Sequence, residues 1–580
     1  MMRVLLLQPD DFLDSGPWSA QTWDLIVNLG RSPLSHLGET QTSSRVLHLD
    51  DHSQGFSDAY LVRHLLHAGR GQVFDAQGID CWELTSVAIV QQVFKVVQLQ
   101  RLAAEIPPTV ELWSTRPDWT NIVLADLVRT SVKCFQDGTW IRAKSAAQHY
   151  VQVFRHFSAS QIKQIFFDKY DAGYRWRSHF SKKRSPRAER VVLVPSAYTN
   201  VSRVAALYAA MVPDLHFFLV ATRQSAREFL LPENMEVCDL AAYARVQPKN
   251  SELASLREAW TKLRSHLEAW EPLRLLSAAG ILDRIPALLR YLPFVRNAWR
   301  EVLDCEPVCS VLCGDDSNYF TRLPVLLAAK RNIPTIDFHH GALDGFYLFK
   351  ELPSDLYLAK SEMERDYLLR SCGVPSTKVV IAPPVAGPNS SSASKTRDPR
   401  CIVLFSEPYE TSGMHAEEVY RELLPPLWLL AQRNRRELVV KLHPFESRAH
   451  RIQVARRILS DETVRNIRWV QGPLTSELLD RAWFGVTVES TTAIECTKNG
   501  VCCFLCRWLK LSPYGYAEQY ARFGLGESLE NLQQINEIPD RVERFHNRCH
   551  AQPAGGTDPS QLLQWLTSGC RENERATSSL

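Results

Sequence analysis

Several ionisable and hydroxyl side chains in this sequence stand directly after short apolar segments that predict buried strands. The carboxyl ends of parallel strands form the ligand-binding edge of an open α/β sheet, so residues at these positions are candidates for binding or catalysis. They fall in five segments, which are Asp315 and Asp316; His339, His340 and Gly341; Ser406 and Glu407; His443; and Glu489, Ser490, Thr491 and Thr492, with Glu495 in the next helical turn.

Two of these segments carry groups suited to acid–base chemistry. Asp315 or Asp316 would serve as a general base on a hydroxyl, or the two would cap the helix that follows. Neighbouring residues of a strand point to opposite faces, so we expect one of His339 and His340 to face a ligand. Gly341 would let the backbone approach that ligand closely.

The other three segments favour an anionic ligand. His443 ends a predicted strand before Pro444, where an imidazole can donate to a phosphate oxygen or give a proton to a leaving group. The hydroxyl cluster 490–492 opens a predicted helix, where hydroxyls, free backbone N–H groups and the helix dipole together bind anions. The alternative is an ordinary helix cap with Glu495 in the next turn. Ser406 and Glu407 would complete the same pocket.

The elements that must position these residues alternate between short apolar strands and longer amphipathic helices. Many of the strands are unbroken apolar runs, which is typical of strands buried on both faces, and the alternation predicts an α/β fold with parallel sheets of Rossmann type. We expect two large domains, residues 1–350 and 351–570, with a hinge near 346–355. Helical insertions are predicted at about 141–185 and 250–304, a last helix at 558–569, and a disordered tail at 571–580.

Composition excludes several classes of protein. With 580 residues, 45% hydrophobic and 23% charged, the chain is neither disordered nor fibrous. A net charge of +3 argues against a nucleic-acid partner. The absence of a long apolar run or signal segment, and 14 scattered cysteines, favour a cytoplasmic protein with reduced thiols and no cysteine metal site. The basic cluster 182–190 is a solvated linker, or a patch that contacts anionic lipid at the inner membrane or an acidic substrate.

Three motifs together resemble a known family. HHGA at 339–342, KLHP at 441–444 and ESTTAIE at 489–495 resemble the GT-B glycosyltransferases of surface polysaccharide synthesis, such as the capsule-type Kdo and sialic acid transferases and the CDP-glycerol glycerophosphotransferases. The resemblance covers roughly 308–506. This sequence has Glu-Ser-Thr-Thr where many relatives have Asp/Ser-Ser, and it lacks the longer tryptophan-containing His–Gly motif of the glycerophosphotransferases.

The resemblance implies two Rossmann-like domains facing across a cleft, with the acceptor on residues 1–350 and a CMP- or UDP-linked sugar donor on 351–570. His443 would hold the donor phosphate and help the leaving group, Ser490 and Thr491 would hold phosphate or the nucleotide edge, and His340 would lie near the reacting centre. The acceptor would be a surface or lipid-linked glycan, and no metal or other cofactor is implied. A nucleotide-sugar 2-epimerase, a glycerophosphotransferase and a non-catalytic scaffold of polysaccharide assembly are the alternatives.

Overall fold

A computed structural model gives the structure of most of the chain. The described residues are 1–9, 11, 18–30, 44–135, 140–142, 189–227, 229–244, 246–343, 345–384, 399–444, 446–472, 474–509, 514–548 and 557–567. The tail at 571–580 and most of the insertion predicted at 141–185 lie outside these ranges.

The amino-terminal sheet has six strands in the order β3-β2-β1-β4-β5-β6, all parallel except the last pair. In the described parts of residues 1–142, the strands and α-helices are β1 (Met2–Leu7), β2 (Leu25–Asn28), β3 (Arg45–His48), α1 (Phe56–His67), α2 (Cys81–Ser86), α3 (Val90–Ala103), β4 (Val110–Ser114), α4 (Trp119–Leu127), β5 (Ser131–Cys134) and β6 (Trp140–Arg142). The apolar run of β1 pairs on both edges, which explains why Leu5 and Leu7 are buried with Trp18, Trp23 and Ile26.

The middle sheet has seven parallel strands in the order β13-β12-β11-β10-β7-β8-β9. Its elements are β7 (Val191–Ser196), α5 (Thr199–Met211), β8 (His216–Ala221), β9 (Met235–Asp239), α6 (Asn250–Leu267), α7 (Glu271–Ala278), α8 (Ile285–Cys305), β10 (Val308–Cys313), α9 (Tyr319–Ala329), β11 (Thr335–Asp337), α10 (Phe346–Phe349), β12 (Leu356–Ala359), α11 (Glu362–Arg370) and β13 (Val379–Ile381). The segment predicted as a helical insertion, 250–304, holds α6, α7 and most of α8, and α8 runs through Pro293 without ending there.

The carboxy-terminal sheet has six parallel strands in the order β16-β15-β14-β17-β18-β19. Its elements are β14 (Cys401–Phe405), α12 (Ala416–Arg433), β15 (Glu437–Lys441), α13 (Arg448–Arg456), α14 (Asp461–Asn466), β16 (Arg468–Val470), α15 (Ser476–Arg481), β17 (Ala482–Thr487), α16 (Thr492–Lys498), β18 (Cys502–Cys506), α17 (Gln519–Arg522), β19 (Glu527–Leu529) and α18 (Ile538–Arg548). A last helix spans 559–567, as predicted.

The α/β class with parallel sheets is thus confirmed, and the described residues form three sheets where two domains had been expected. The predicted boundary at 350 falls inside the middle sheet, because β12 and β13 pair with β11. The segment 346–355 is an ordinary helical connection between two neighbouring strands. The strands that the pattern missed, such as β2, β5 and β9, have only four or five residues.

The chain divides into two compact units, which do not follow the order of the sheets along the sequence. The first unit holds the amino-terminal and carboxy-terminal sheets and comprises Met1–Asp58, Lys95–His156 and Ala393–Ala554. The second unit holds the middle sheet and comprises Ala59–Phe94, Phe157–Ser392 and Gly555–Leu580. Within the ranges that the structure describes, no helix is long and apolar enough to cross a membrane.

Two groups of cysteines lie in buried strands. Cys309 and Cys313 lie in β10 and are buried, and so are all three cysteines of β18. Burial raises the pKa of the Cys313 thiol well above its ordinary value, so this thiol stays protonated. These cysteines pack as small apolar residues.

Candidate functional site

In the middle sheet, the strand order reverses between β10 and β7, and this is the position where ligands of open α/β sheets bind. Gly314 follows β10 at this point. A Cβ atom on Gly314 would lie 2.4 Å from the Phe338 ring, so only glycine lets the two strand ends approach this closely. The Gly314 carbonyl oxygen then lies 3.4 Å from Nδ1 of His340.

His340 is oriented by that contact. A carbonyl oxygen can only accept, so Nδ1 must carry the hydrogen and Nε2 is left as the basic nitrogen. Burial lowers the pKa of His340, the nearby Asp315 opposes this shift, and the Lys360 charge adds to it. The ring also stacks on Tyr198, with centroids 6.3 Å apart. A neutral, half-buried imidazole held in one tautomer is suited to accept a proton.

His339 plays a different part, as the alternation of the strand predicts. Its side chain is buried, its ring lies 4.6 Å from that of Phe346, and burial holds its pKa well below the ordinary value. Its Nδ1 has no hydrogen-bond partner in the part of the chain that the structure describes. The next residue but one, Gly341, offers its carbonyl oxygen to Nζ of Lys360. His340 is therefore the better placed of the two histidines for chemistry.

The two adjacent aspartates also separate into different roles. Asp315 accepts from the backbone N–H of Ser317 at 2.9 Å and from its hydroxyl, in the turn that leads to α9. The cap of α9 is Asn318, which accepts from two backbone N–H groups of the first turn. The cap predicted for Asp315 and Asp316 is thus supplied by Asn318 instead.

Asp316 is 1% exposed and lies in a buried ionic network. Its carboxylate pairs with Arg322 and Lys350, and it accepts from the Tyr347 hydroxyl at 3.2 Å. Arg322 also pairs with Glu83. Every donor that faces this carboxylate is another buried side chain, so the geometry assigns Asp316 to structure and does not support its predicted part in catalysis.

Two cationic residues at this edge were missed by the sequence analysis. Arg223 follows β8, is 7% exposed, and places its guanidinium 5.1 Å from the Tyr198 ring centre. Lys360 follows β12 and lies 3.6 Å from the buried carboxylate of Glu364. Each stands one or two residues after an apolar strand, which is the signal that could have identified them. We call Tyr198, Arg223, Asp315, His340 and Lys360 the middle-sheet cluster.

In the carboxy-terminal sheet, the strand order reverses between β14 and β17, and the predicted loops meet there. One oxygen of Glu407 accepts from the Thr487 hydroxyl at 2.7 Å and from the N–H groups of Val488 and Glu489 at 2.9 and 3.0 Å. Burial, with a smaller effect of the Glu489 charge, raises the pKa of Glu407 to about 7. Glu407 thus joins the loop after β14 to the loop after β17.

Glu446 joins the third loop to the same place. It accepts from the backbone N–H of His443 at 2.7 Å and from the Ser406 hydroxyl at 2.8 Å. Arg451, which is 2% exposed, donates to Glu446 and makes two bonds of 2.6 and 2.8 Å to Glu410. Burial raises the pKa of Glu410, but hydrogen bonds from His450 and Arg451 outweigh it and lower that pKa to about 2. Ser406, Glu407, His443, Glu446 and the segment 487–492 form the carboxy-terminal-sheet cluster.

The anion site predicted at 490–492 is only partly as expected. The N–H groups of Val488 and Glu489 are occupied by Glu407, that of Ser490 by the Thr487 hydroxyl, and that of Thr492 by the Ser490 hydroxyl. The expectation of free N–H groups in the segment 490–492 is therefore wrong at Ser490 and Thr492. The hydroxyls of Ser490, Thr491 and Thr492 remain, and Thr492 Oγ1 is buried without a hydrogen-bond partner among the described residues.

Glu495 lies on the exposed face of α16, and none of the hydrogen bonds that join the three loops involves it. Lys441, the last residue of β15, turns its ammonium to the carbonyl oxygens of Leu442 and Gly472 at 2.8 and 2.6 Å. In the described part of the chain, no group of three or more His, Cys, Asp or Glu residues has the geometry to hold a metal ion.

Comparison with known proteins gives a likeness in fold alone. No protein-family model matches the sequence, and no curated protein matches it. Among solved structures, a UDP-GlcNAc 2-epimerase from Neisseria meningitidis shares 12% identity with a TM-score of 0.42, over 66% of this chain and 100% of that chain.

A putative UDP-N-acetylglucosamine 2-epimerase from Listeria monocytogenes shares 14% identity, with a TM-score of 0.42, over 67% of this chain and 98% of that chain. The calicheamicin glycosyltransferase shares 12% identity, with a TM-score of 0.35, over 68% of this chain and 98% of that chain. TM-scores below 0.5 carry no conclusion about substrate or reaction.

Proposed function

We propose that this protein is a glycosyltransferase of the GT-B type, which moves a sugar from a CMP- or UDP-linked donor to a hydroxyl of a surface or lipid-linked glycan. The observation that supports this most is the position of the motifs. HHGA and KLHP each lie beside the place where the strand order of a parallel sheet reverses, in the middle and carboxy-terminal sheets, and ESTTAIE lies at that place in the carboxy-terminal sheet. Each is where an open α/β sheet binds its ligand.

In this proposal, the middle-sheet cluster binds the acceptor. His340 Nε2 takes the proton of the acceptor hydroxyl as its oxygen attacks the anomeric carbon of the sugar. The bond between that carbon and the phosphate oxygen breaks, and the electron pair leaves with the phosphate. Arg223 and Lys360 supply positive charge at the same edge, and Asp315 favours the protonated form of His340 once the proton has moved.

The carboxy-terminal-sheet cluster binds the nucleotide donor. His443 donates to the phosphate, a bond that strengthens as negative charge builds on the leaving group. The hydroxyls of Ser490, Thr491 and Thr492 bind the phosphate or the nucleotide edge in place of the backbone N–H groups. Because Glu407 is neutral over part of the neutral pH range, it adds less negative charge beside this anion than an ordinary carboxylate would.

The test is an assay of nucleotide release from a panel of nucleotide sugars, with and without glycan acceptors. We expect release that depends on an acceptor and that falls about 100-fold or more in His340→Gln. The matched control is His216→Gln, since His216 is half-exposed at the opposite, amino end of β8 in the same sheet. Conversion of the free nucleotide sugar without any acceptor would show an epimerase instead. Full activity in His340→Gln would overturn the assigned base.

The cellular placement stays a prediction. We expect the protein to act in the cytoplasm, at the inner face of the membrane where lipid-linked acceptors are held. The basic cluster that suggested lipid contact lies outside the described residues, except Glu189 and Arg190 at its end. Fractionation of cells before and after a high-salt wash would test this contact, because electrostatic attachment is released by salt.

A further inference from the structure

The carboxyl edge of the amino-terminal sheet is occupied by another part of the same chain. Asn28, the last residue of β2, is fully buried, and its side-chain oxygen accepts from Nε2 of His415 at 3.0 Å and from the N–H of Gly30 at 2.8 Å. Its amide nitrogen donates to Nδ1 of His48 at 3.1 Å. His415 is 1% exposed and directly precedes α12, so a loop of the carboxy-terminal sheet is seated on the edge of the amino-terminal one.

The fit at this contact leaves no room for a larger residue. A Cβ atom on Gly30 would lie 2.8 Å from Nε2 of His415 and 3.0 Å from the carbonyl oxygen of Gly413. Real Cβ atoms do not approach other atoms this closely, and a backbone oxygen cannot move aside as a flexible side chain can. Beside β2, the edge where a Rossmann-type sheet would bind a ligand is therefore filled by the segment 413–415.

This loop leads directly to the proposed donor site. The segment 407–415 begins with Glu407, which holds the loop after β17, and contains Glu410. The buried guanidinium of Arg451 bridges Glu410, which is partly exposed, to Glu446, which is buried, and Glu446 accepts from the backbone N–H of His443. An unbroken series of hydrogen bonds and covalent segments thus runs from Asn28 to His443, all within the first unit.

We propose that the amino-terminal sheet is a support for the donor site rather than a separate binding module, and that Asn28 and His415 are positioning residues that fix His443 through the 407–415 loop, Arg451 and Glu446. The donor role of His443 rests on the proposed function, but the mechanical link does not. Removing the contact between Asn28 and His415 frees the loop, so Glu446 no longer holds the His443 N–H in one place.

The first experiment measures hydrogen exchange in the ligand-free full-length protein. In His415→Ala, we expect exchange in peptides covering 406–415 and 443–451 to accelerate about tenfold, the effect of losing roughly one hydrogen bond. The matched control is Arg481→Ala, which breaks an ion pair to Glu437 at 2.9 Å at the amino end of β15, the opposite edge of the same sheet. Unchanged exchange at 443–451 in His415→Ala would overturn the proposal.

Two further variants keep the test valid if His415→Ala does not fold. His415→Gln retains a donor toward Asn28 and should restore slow exchange, while Asn28→Ala should reproduce the effect from the other side of the contact. The double variant should be no worse than either single one, since both remove the same interaction. Additive effects of the two single variants would contradict the inferred contact.

The second experiment measures nucleotide affinity on the same preparations by calorimetry with UDP and CMP. We expect His415→Ala to raise the Kd of whichever nucleotide binds the wild type about tenfold. Arg481→Ala should leave that Kd unchanged. If exchange at 443–451 responds but the wild type binds neither nucleotide, the proposed function fails while the link stands. If nucleotide binds the wild type and His415→Ala equally well, the positioning role is wrong.

Discussion

A substitution of Asp316 tests whether this residue of the middle sheet is structural or catalytic. It is buried between Arg322 and Lys350, with a third donor from Tyr347 at 3.2 Å. Asp316→Asn keeps the shape of the side chain but removes the one negative charge that both cations share. Removing one partner of a buried ion pair costs about 3–5 kcal/mol, because the remaining charge stays buried without compensation.

Two features of the structure place the expected loss at the lower end of that range. Arg322 keeps its second ion pair to Glu83. Asp337 is buried nearby, and burial together with the Asp316 charge raises its pKa well above the ordinary value, so neutralising Asp316 removes one of the two effects that oppose a negative charge on Asp337. We therefore expect a loss of about 3 kcal/mol, or about 5 °C in Tm for a unit of this size.

The measurement is thermal unfolding and turnover of Asp316→Asn on one preparation, with Asp315→Asn as the matched control. Asp315 is equally buried, but the partners of its carboxylate are the neutral hydroxyl, amide and N–H groups of Ser317 and Asn318, which an asparagine oxygen can also bind. The Tm of Asp315→Asn should change by less than a third as much as that of Asp316→Asn. If Asp316→Asn melts like the wild type and loses its turnover, Asp316 is catalytic and our assignment is wrong.

Three further predictions follow from the carboxy-terminal-sheet cluster. His443→Ala should lower turnover about 10²–10³-fold. It should change Tm by only a few degrees, because the bond to Glu446 uses the backbone N–H of His443. A variant that is destabilised but still active would show that this side chain has no catalytic role. Burial raises the pKa of Glu407 from 4.5 to about 7, so its contribution to stability is complete below pH 4.5 and is lost as pH rises through 7. Urea unfolding of Glu407→Gln should show a smaller decline between those pH values than the wild type, and parallel curves would refute the shift. Turnover should survive EDTA, since hydroxyls and imidazole hold the phosphate; loss that magnesium or manganese restores would contradict this.

The sequence predicts the class of the fold and the edges where polar residues gather, because both follow from local patterns. The run RVLLLQ predicts β1, and the residues that end β10, β11, β14, β15 and β17 lie at the edges expected of them. The number of sheets could not be predicted in the same way. It depends on which strands pair, and β12 and β13 are too short to reveal that they extend the middle sheet.

The separation of Asp315 from Asp316 could not be predicted either. Two adjacent aspartates look alike in sequence, and only the tertiary contacts with Arg322 and Lys350 assign one of them to the core. The occupied N–H groups before α16 could not be predicted either. The distant carboxylate of Glu407 takes those of Val488 and Glu489, and nearby hydroxyls take those of Ser490 and Thr492. Arg223 and Lys360 were missed because a single cation after a strand carries little pattern of its own.

The most direct test of the central claim is a thermal-shift titration of the wild type and His443→Ala with CMP, UDP, GDP, dTDP and CDP-glycerol. A ligand that binds only the folded state stabilises it by about 2.7 kcal/mol at 100 times its Kd. We predict that at least one of these nucleotides raises the Tm of the wild type and that the shift shrinks in His443→Ala. If none of them raises the Tm of the folded wild type at millimolar concentration, the protein is not a nucleotide-sugar transferase.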